Sequence, residues 1–304
     1  MMQEKKVAVV TGAARGMGFA AAKKLCEKYH VILTDVNQEN LDAAVKELTE
    51  SGFSCEGKKV DVSDRGAVAE LAQYAATKGQ VQASVNIAGL SPSMSDAKKI
   101  WTVNALGTVY MAEEFTKVMT EGACILNFSS MSGDMLPDLA VVRMFHNLES
   151  RNLETYKKVM YKLLDLMPAT FGPAMGYMLS KNFVNYYAAL YSRKLVDTGI
   201  RCVTISPGDF ATPMGMLEKD GAATYLPGAS IRRFGQPEEM AFLVDCVVDE
   251  RNSYLTGCEI LNDGGVIASL RTSMLYNIKA TVKAAINQYH LAEKFPVLKV
   301  FVKE

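Results

Sequence analysis

Short uninterrupted apolar runs alternate with longer stretches in which apolar positions recur every three or four residues. Val7-Ala8-Val9-Val10 reads as a strand buried on both faces, and residues 17–28 as a helix behind a glycine-rich turn. Val31-Ile32-Leu33-Thr34 predicts the second strand and residues 39–51 the second helix. Residues 57–62, 64–78 and 83–88 continue as strand, helix and strand, with later strands predicted at 123–128, 201–205 and 258–261. Strands with no polar alternation belong to a parallel sheet covered on both faces. The fold class is therefore α/β, a doubly wound parallel sheet forming a single domain across 1–304.

Two regions leave this rhythm. Within 134–173, Leu153, Tyr156, Met160, Leu163, Leu164 and Met167 recur at helical spacing and Pro168 should end the helix, which predicts a helical insertion. In 267–304, Met274, Leu275, Ile278, Val282, Ile286 and Tyr289 form a second stripe, which predicts a helical C-terminal extension. Both stripes read as buried packing or subunit contacts.

Composition removes several function classes. Lys+Arg and Asp+Glu both number 33, so no net charge invites nucleic acid. No apolar run reaches the length of a membrane span, and the opening Met-Met-Gln-Glu-Lys-Lys passes straight into a strand, which leaves no room for a signal peptide. Six cysteines without a CxxC pair suit reduced thiols in a cytoplasmic protein. Three histidines without HExxH spacing give a metal no site.

The chemistry begins in the turn after the first strand. Thr11-Gly12-Ala13-Ala14-Arg15-Gly16-Met17-Gly18 places glycines where phosphate oxygens need close approach to backbone, and the following helix start offers free N–H groups. This is the strand–turn–helix context of a Rossmann dinucleotide site. Asp35, just past the second strand, is placed to accept from adenosine ribose hydroxyls and to repel a 2′-phosphate, which favours NAD over NADP. Arg15 pulls the other way, since a cation in the loop pairs with that phosphate. Asp61 and Val62 stand where a carboxylate and an apolar wall would hold the adenine edge. Tyr177 and Lys181 lie four apart, on one face of any helix, so an ammonium there would lower the phenol pKa and make it a usable acid/base.

Together these motifs resemble the short-chain dehydrogenase/reductase family from about residue 6 to 266. In family order come Thr-Gly-x3-Gly-x-Gly at 11–18, Asn86-Ile87-Ala88-Gly89, Asn104, Ser129-Ser130, Tyr177-x3-Lys181, Pro207-Gly208 with Thr212, and Asp263-Gly264-Gly265. The resemblance implies Tyr177 as general acid/base, Ser130 as donor to the substrate oxygen and Lys181 as partner of the nicotinamide ribose. Asn104 would link Lys181 to solvent. Gly12, Gly16, Met17, Gly18, Asn86, Ala88, Gly89, Pro207, Gly208 and Thr212 would bind the cofactor.

Departures from the family pattern are Ile87 for a second Asn, only 15 residues from Gly89 to Asn104 (104 − 89), and 47 from Ser130 to Tyr177 (177 − 130). That layout also resembles, more loosely, a bacterial 3α-hydroxysteroid dehydrogenase/carbonyl reductase subgroup. The insertion, with Met214, Met216, Leu217, Tyr225, Leu226, Met135 and Leu136, is expected to wall an apolar cleft for a hydrophobic secondary alcohol or ketone, such as a hydroxysteroid or bile acid. The alternatives are a reductase of smaller ketones, or a cofactor-binding scaffold without turnover. Assembly as a homodimer or homotetramer is expected from the family.

Overall fold

Successive side chains of a strand point to opposite faces, and here the two faces enter two separate cores. Val7, Val9, Ile32 and Ile125 join one, and Ala8, Val10, Leu33 and Leu126 the other. The computed structural model describes residues 6–136 and 140–272, with Lys283 and Ile286 beyond them. The strands are β1 (Lys6–Thr11), β2 (His30–Asp35), β3 (Cys55–Lys59), β4 (Gln80–Asn86), β5 (Met119–Phe128), β6 (Arg201–Pro207) and β7 (Glu259–Asn262). Among the described residues they form one sheet, ordered β3-β2-β1-β4-β5-β6-β7, and every neighbouring pair is parallel. The order reverses between β1 and β4, which opens a crevice at their carboxyl ends.

Helices α1 (Gly16–Leu25) and α2 (Gln38–Glu50) cover one face. The other carries α3 (Arg65–Ala76), the short α4 (Ala97–Trp101) and α5 (Gly107–Thr116), joined to α4 by a π turn at Thr102–Leu106. Then come α6 (Ala140–Arg151), α7 (Leu153–Asp165), the long α8 (Gly172–Ser192), α9 (Pro213–Leu217), α10 (Lys219–Tyr225), α11 (Pro237–Val248) and α12 (Val266–Thr272). The third strand begins and ends earlier than its apolar pattern suggests. It is the sheet edge, half-buried along its length, and Val60-Asp61-Val62 have already left the ladder toward the crevice.

The insertion is helical, as its stripe predicts, but it holds two helices where one was visible. In α7, Tyr156, Met160 and Leu164 are buried, the Asn152 side chain caps the start, and the helix stops just ahead of Pro168. The pattern of α6 is broken by Met144 and Phe145, which face solvent, while His146 and Glu149 on the same helix are buried. Helix α7 lies against α4 and α8, and α6 against α7 and α8. Tyr156 meets Trp101 edge-on at 5.4 Å between ring centres and tilts against Phe183 at 5.2 Å. Of the C-terminal stripe, only Ile286 falls within the described residues, where it is buried. The rest of that stripe and the Tyr225 side chain lie outside them.

Candidate active site

The glycine-rich turn closes on the strand beside it. Gly12 has φ +63°, and a Cβ there would sit 2.9 Å from Ala88 Cα; one on Gly18 would lie 2.0 Å from the Gly12 carbonyl oxygen. Only glycine fits either position, so the backbone stays open to a ligand. Arg15 leads into α1 without a side-chain cap, leaving the first N–H groups of the helix facing the crevice. One cleft here is lined by Gly12, Arg15, Gly16, Met17, Gly18, Asp35, Asp61, Val62, Ala88 and Gly89. The Asp35 carboxylate is fixed at its far end, accepting from Asn37 N at 3.0 Å and from Ala14 N at 3.4 Å. Asp61 accepts from Ser63 N and Oγ at 2.9 and 2.6 Å and pairs with Lys99 at 3.4 Å, and these contacts hold its carboxyl below the usual range although burial opposes them. A narrow backbone cradle, free amides and a carboxylate at the distal rim together fit a dinucleotide.

A second cleft adjoins the first. It is lined by Ser130, Tyr177, Lys181, Pro207, Gly208 and Thr212, and both clefts share Met17, Ile87, Gly89, Leu90, Thr212 and Met214. The two form one groove, running from Asp35 to Tyr177. Thr212 stands at their junction, where its Oγ accepts from Gly215 N at 3.0 Å and caps α9.

The reacting end is built on α8. Lys181 is buried, and its Nζ donates to Phe128 O at 2.9 Å, the last carbonyl of β5. Ser129 Oγ donates to Lys181 O at 2.7 Å, and Ser132 N donates to Ser130 Oγ at 3.2 Å. Asn104 is buried in the π turn, where its Oδ1 accepts from Leu90 N at 2.8 Å and its Nδ2 donates to Leu90 O at 3.0 Å and Ser180 Oγ at 3.2 Å. A Cβ on Gly89 would stand 3.0 Å from Asn104 Oδ1 and 3.6 Å from Lys181 Nζ, so these two side chains converge on one glycine. π turns inside helices recur at functional sites, and this one aims Asn104.

Comparison with known proteins settles the family. A short chain dehydrogenase profile matches residues 6–142, and an enoyl-(acyl carrier protein) reductase profile matches 169–267. The chain belongs to the short-chain dehydrogenase/reductase family. Similar proteins include a short-chain dehydrogenase/reductase of Alternaria brassicicola, 29% identical over 86% of this chain and 96% of that one. An (S)-acetoin-forming diacetyl reductase of Staphylococcus epidermidis is 27% identical over 86% and 98%. A 3α-hydroxysteroid dehydrogenase of Mediterraneibacter gnavus is 29% identical over 88% and 99%. Among solved structures, a short chain dehydrogenase of Burkholderia cenocepacia in complex with NADP superposes with TM-score 0.68 at 22% identity, over 86% of this chain and 98% of that chain. The two profiles leave 143–168 unmatched, which is most of α6 and α7.

Within this dehydrogenase/reductase scaffold, three expectations need correcting. The first concerns the phenol. Burial pushes Tyr177 up to about 12; the Ser130 hydroxyl opposes this, and the Glu218 and Asp209 carboxylates reinforce it. Burial also brings Lys181 down to about 8. Its ammonium lies 5.7 Å from the Tyr177 ring centre but donates its hydrogen bond to Phe128 O, so the phenol is not depressed in this geometry. The second concerns Asn86, which does not line the groove; it is buried in the sheet, donating to Asn127 Oδ1 at 2.7 Å and accepting from Ser84 Oγ at 3.2 Å.

The third concerns the cleft wall. Among the described residues, none of 134–173 lines the reacting cleft. Of the described apolar residues expected there Met214 alone does so; Met216 and Leu217 face solvent, and Met135 joins Val266 and Ile267. Leu136 lines a cavity behind α8, and Leu226 a small one beside Arg233. Sequence reasoning missed Leu90, Ser91, Met131 and Ser132, and the carboxylates Asp209 and Glu218. Asp209 was open to discovery, because it directly follows the recognised Pro207-Gly208 pair.

Proposed function

We propose that the protein is an NAD-dependent oxidoreductase of hydrophobic secondary alcohols and ketones. The observation that carries this is the single groove, with a dinucleotide cradle at one end and Ser130, Tyr177 and Lys181 at the other. A bound nicotinamide would supply the hydride donor or acceptor. The chain's own residues handle the proton and the charge. Ser130 Oγ donates to the substrate oxygen and stabilises its developing negative charge. Tyr177 Oη, neutral in the ligand-free site, gives its proton to that oxygen in reduction and takes it back in oxidation. Lys181 would hold the ribose hydroxyls, and Asn104 fixes the Leu90 backbone against which the ring would lie.

NAD is favoured because the fixed Asp35 carboxylate lies where a 2′-phosphate would be repelled; the exposed Arg15 at the same cleft is the competing influence. The apolar side chains of Met17, Leu90, Met131 and Met214 suit a hydrocarbon body. The hydroxysteroid dehydrogenase among its relatives puts steroid alcohols first in a substrate panel, and the diacetyl reductase puts small diketones second. A homodimer or homotetramer in a cytoplasmic setting completes the reading, in keeping with six free cysteines.

Turnover of this panel with NAD and with NADP is the test. Tyr177→Phe should lower kcat by at least about a hundredfold, the usual scale of a lost acid/base. Unchanged turnover in that variant would remove Tyr177 from the mechanism, and a strong preference for NADP would remove Asp35 from its role.

A further inference from the structure

The reacting cleft carries negative charge that the hydride and proton chemistry does not use. Asp209 follows the Pro207-Gly208 turn, Glu218 closes α9, and both line the cleft with Ser130 and Tyr177. Asp209 Oδ2 is buried and has no hydrogen-bond partner among the described residues. A buried acceptor left without a donor has given up water with nothing in return, which is unfavourable. The surroundings increase the cost, because burial and the charges of Asp263 and Glu218 push this carboxyl up to about 6.

Neighbouring acids have their own donors. Asp263 accepts from Gly265 N at 2.9 Å and Ile267 N at 2.6 Å, which holds the start of α12. Glu218 Oε1 accepts from Ser93 N at 3.2 Å. Among the described residues, the one cation lining this cleft is Lys181, whose ammonium is directed to Phe128 O. Among the described residues the Asp209 side chain serves no cap, turn or ion pair, and it lines the reacting cleft. Buried polar groups of this kind are matched by a partner; Asp209 borders both this cleft and the small cavity beside Arg233, and of the two only the cleft holds Ser130 and Tyr177.

We propose that Asp209, with Glu218 beside it, recognises a hydrogen-bond donor on the substrate, a hydroxyl or a protonated amine remote from the reacting carbon. By the same charge it rejects substrates with a carboxylate at that position. This deepens the oxidoreductase reading above and rests on it. A site built around a buried acceptor discriminates strongly against an analogue that lacks the donor, because the acceptor is then desolvated without return.

The experiment compares four matched ligands: a plain ketone, its hydroxy and amino analogues, and the corresponding keto acid. Cofactor-dependent kcat/KM is measured for the wild type, Asp209→Leu and Asp209→Asn. The readout is the ratio between ligands within one variant, so a general loss of turnover does not enter. The hydroxy or amino ketone should exceed the plain ketone at least tenfold in the wild type, and whichever analogue wins identifies the donor. That ratio should fall toward one in Asp209→Leu, and the keto acid should gain at least tenfold on the hydroxyketone in Asp209→Asn. Equal ratios in all three proteins would overturn the proposal. So would a weaker nicotinamide cofactor Kd in Asp209→Asn with the ratios unchanged, since the carboxyl would then serve the cofactor. The same ratios, measured as binding affinities in Tyr177→Phe, separate the two readings. Donor preference in binding without turnover in the wild type refutes the oxidoreductase reading alone.

Discussion

Lys181 shows how the candidate site costs the fold stability at a single residue. Its ordinary value is 10.5, and burial brings it down to about 8. Below pH 8 the folded protein therefore holds an ammonium in a place that disfavours it. From a shift of that size the cost is about 3 kcal/mol at neutral pH, offset in part by the bond to Phe128 O. Between about 8 and 10.5 the unfolded chain binds the extra proton, so wild-type stability rises with pH across that window. Lys181→Met should abolish turnover, yet raise Tm by a few degrees at pH 7, with the gain shrinking toward pH 10. Thermal melts across pH check this, and a Tm lowered equally at both ends would refute it. The spacing of Tyr177 and Lys181 was legible in the sequence because helical periodicity is local. What the ammonium donates to was not, because Phe128 lies 53 residues away at the end of β5.

At the scale of elements, the insertion reaches the catalytic turn through side chains rather than through the cleft. His146 on α6 is buried between Tyr156 Oη, 3.1 Å from its Nδ1, and Asn182 Oδ1, 3.0 Å from its Nε2. Asn182 Nδ2 in turn donates to Gly133 O at 2.9 Å, and Gly133 N donates to Ser130 O at 2.9 Å. Asn182 Oδ1 accepts only, so Nε2 carries a proton, and burial favours the neutral ring, in which Nδ1 accepts from the Tyr156 hydroxyl. Asn182→Leu breaks the chain at its centre. It should lower kcat about tenfold by loosening the Ser130 turn while leaving cofactor KM within about twofold. Tyr186→Phe, which removes only a contact to Asn147, serves as the control and should change neither. A loss confined to KM, or an equal loss in both variants, would sink the coupling. Burial lowers His146, so as pH falls below its ordinary 6.5 the unfolded chain takes up the proton first and stability declines. None of this was readable from the chain, since a lone His on a helix carries no sign of its partners.

At the scale of the molecule, α6 and α7 form an outer layer on α4 and α8, where they cover Trp101 and Phe183. The alternation of strands and helices predicted the doubly wound sheet because burial on both faces is written into every strand. Long-range placement of the insertion was not written there. Its stripe specifies only that one face is covered, and the cleft and the back of α8 satisfy that equally. The two placements predict opposite results when 140–165 is replaced by a short Gly/Ser linker. A lid would leave the aromatic face of α8 intact and change which substrates enter. The observed layer instead shields the large aromatic side chains of Trp101 and Phe183, each contributing on the order of 2 kcal/mol by burial. Its removal should expose a contiguous apolar patch, so sedimentation velocity should show concentration-dependent association or a falling soluble yield. For the enzyme that remains soluble, the ratio of kcat/KM between a bulky and a small ketone should move by less than about threefold, because no described residue of 140–165 lines the cleft. A monodisperse variant with an altered ratio would place the insertion over the substrate after all.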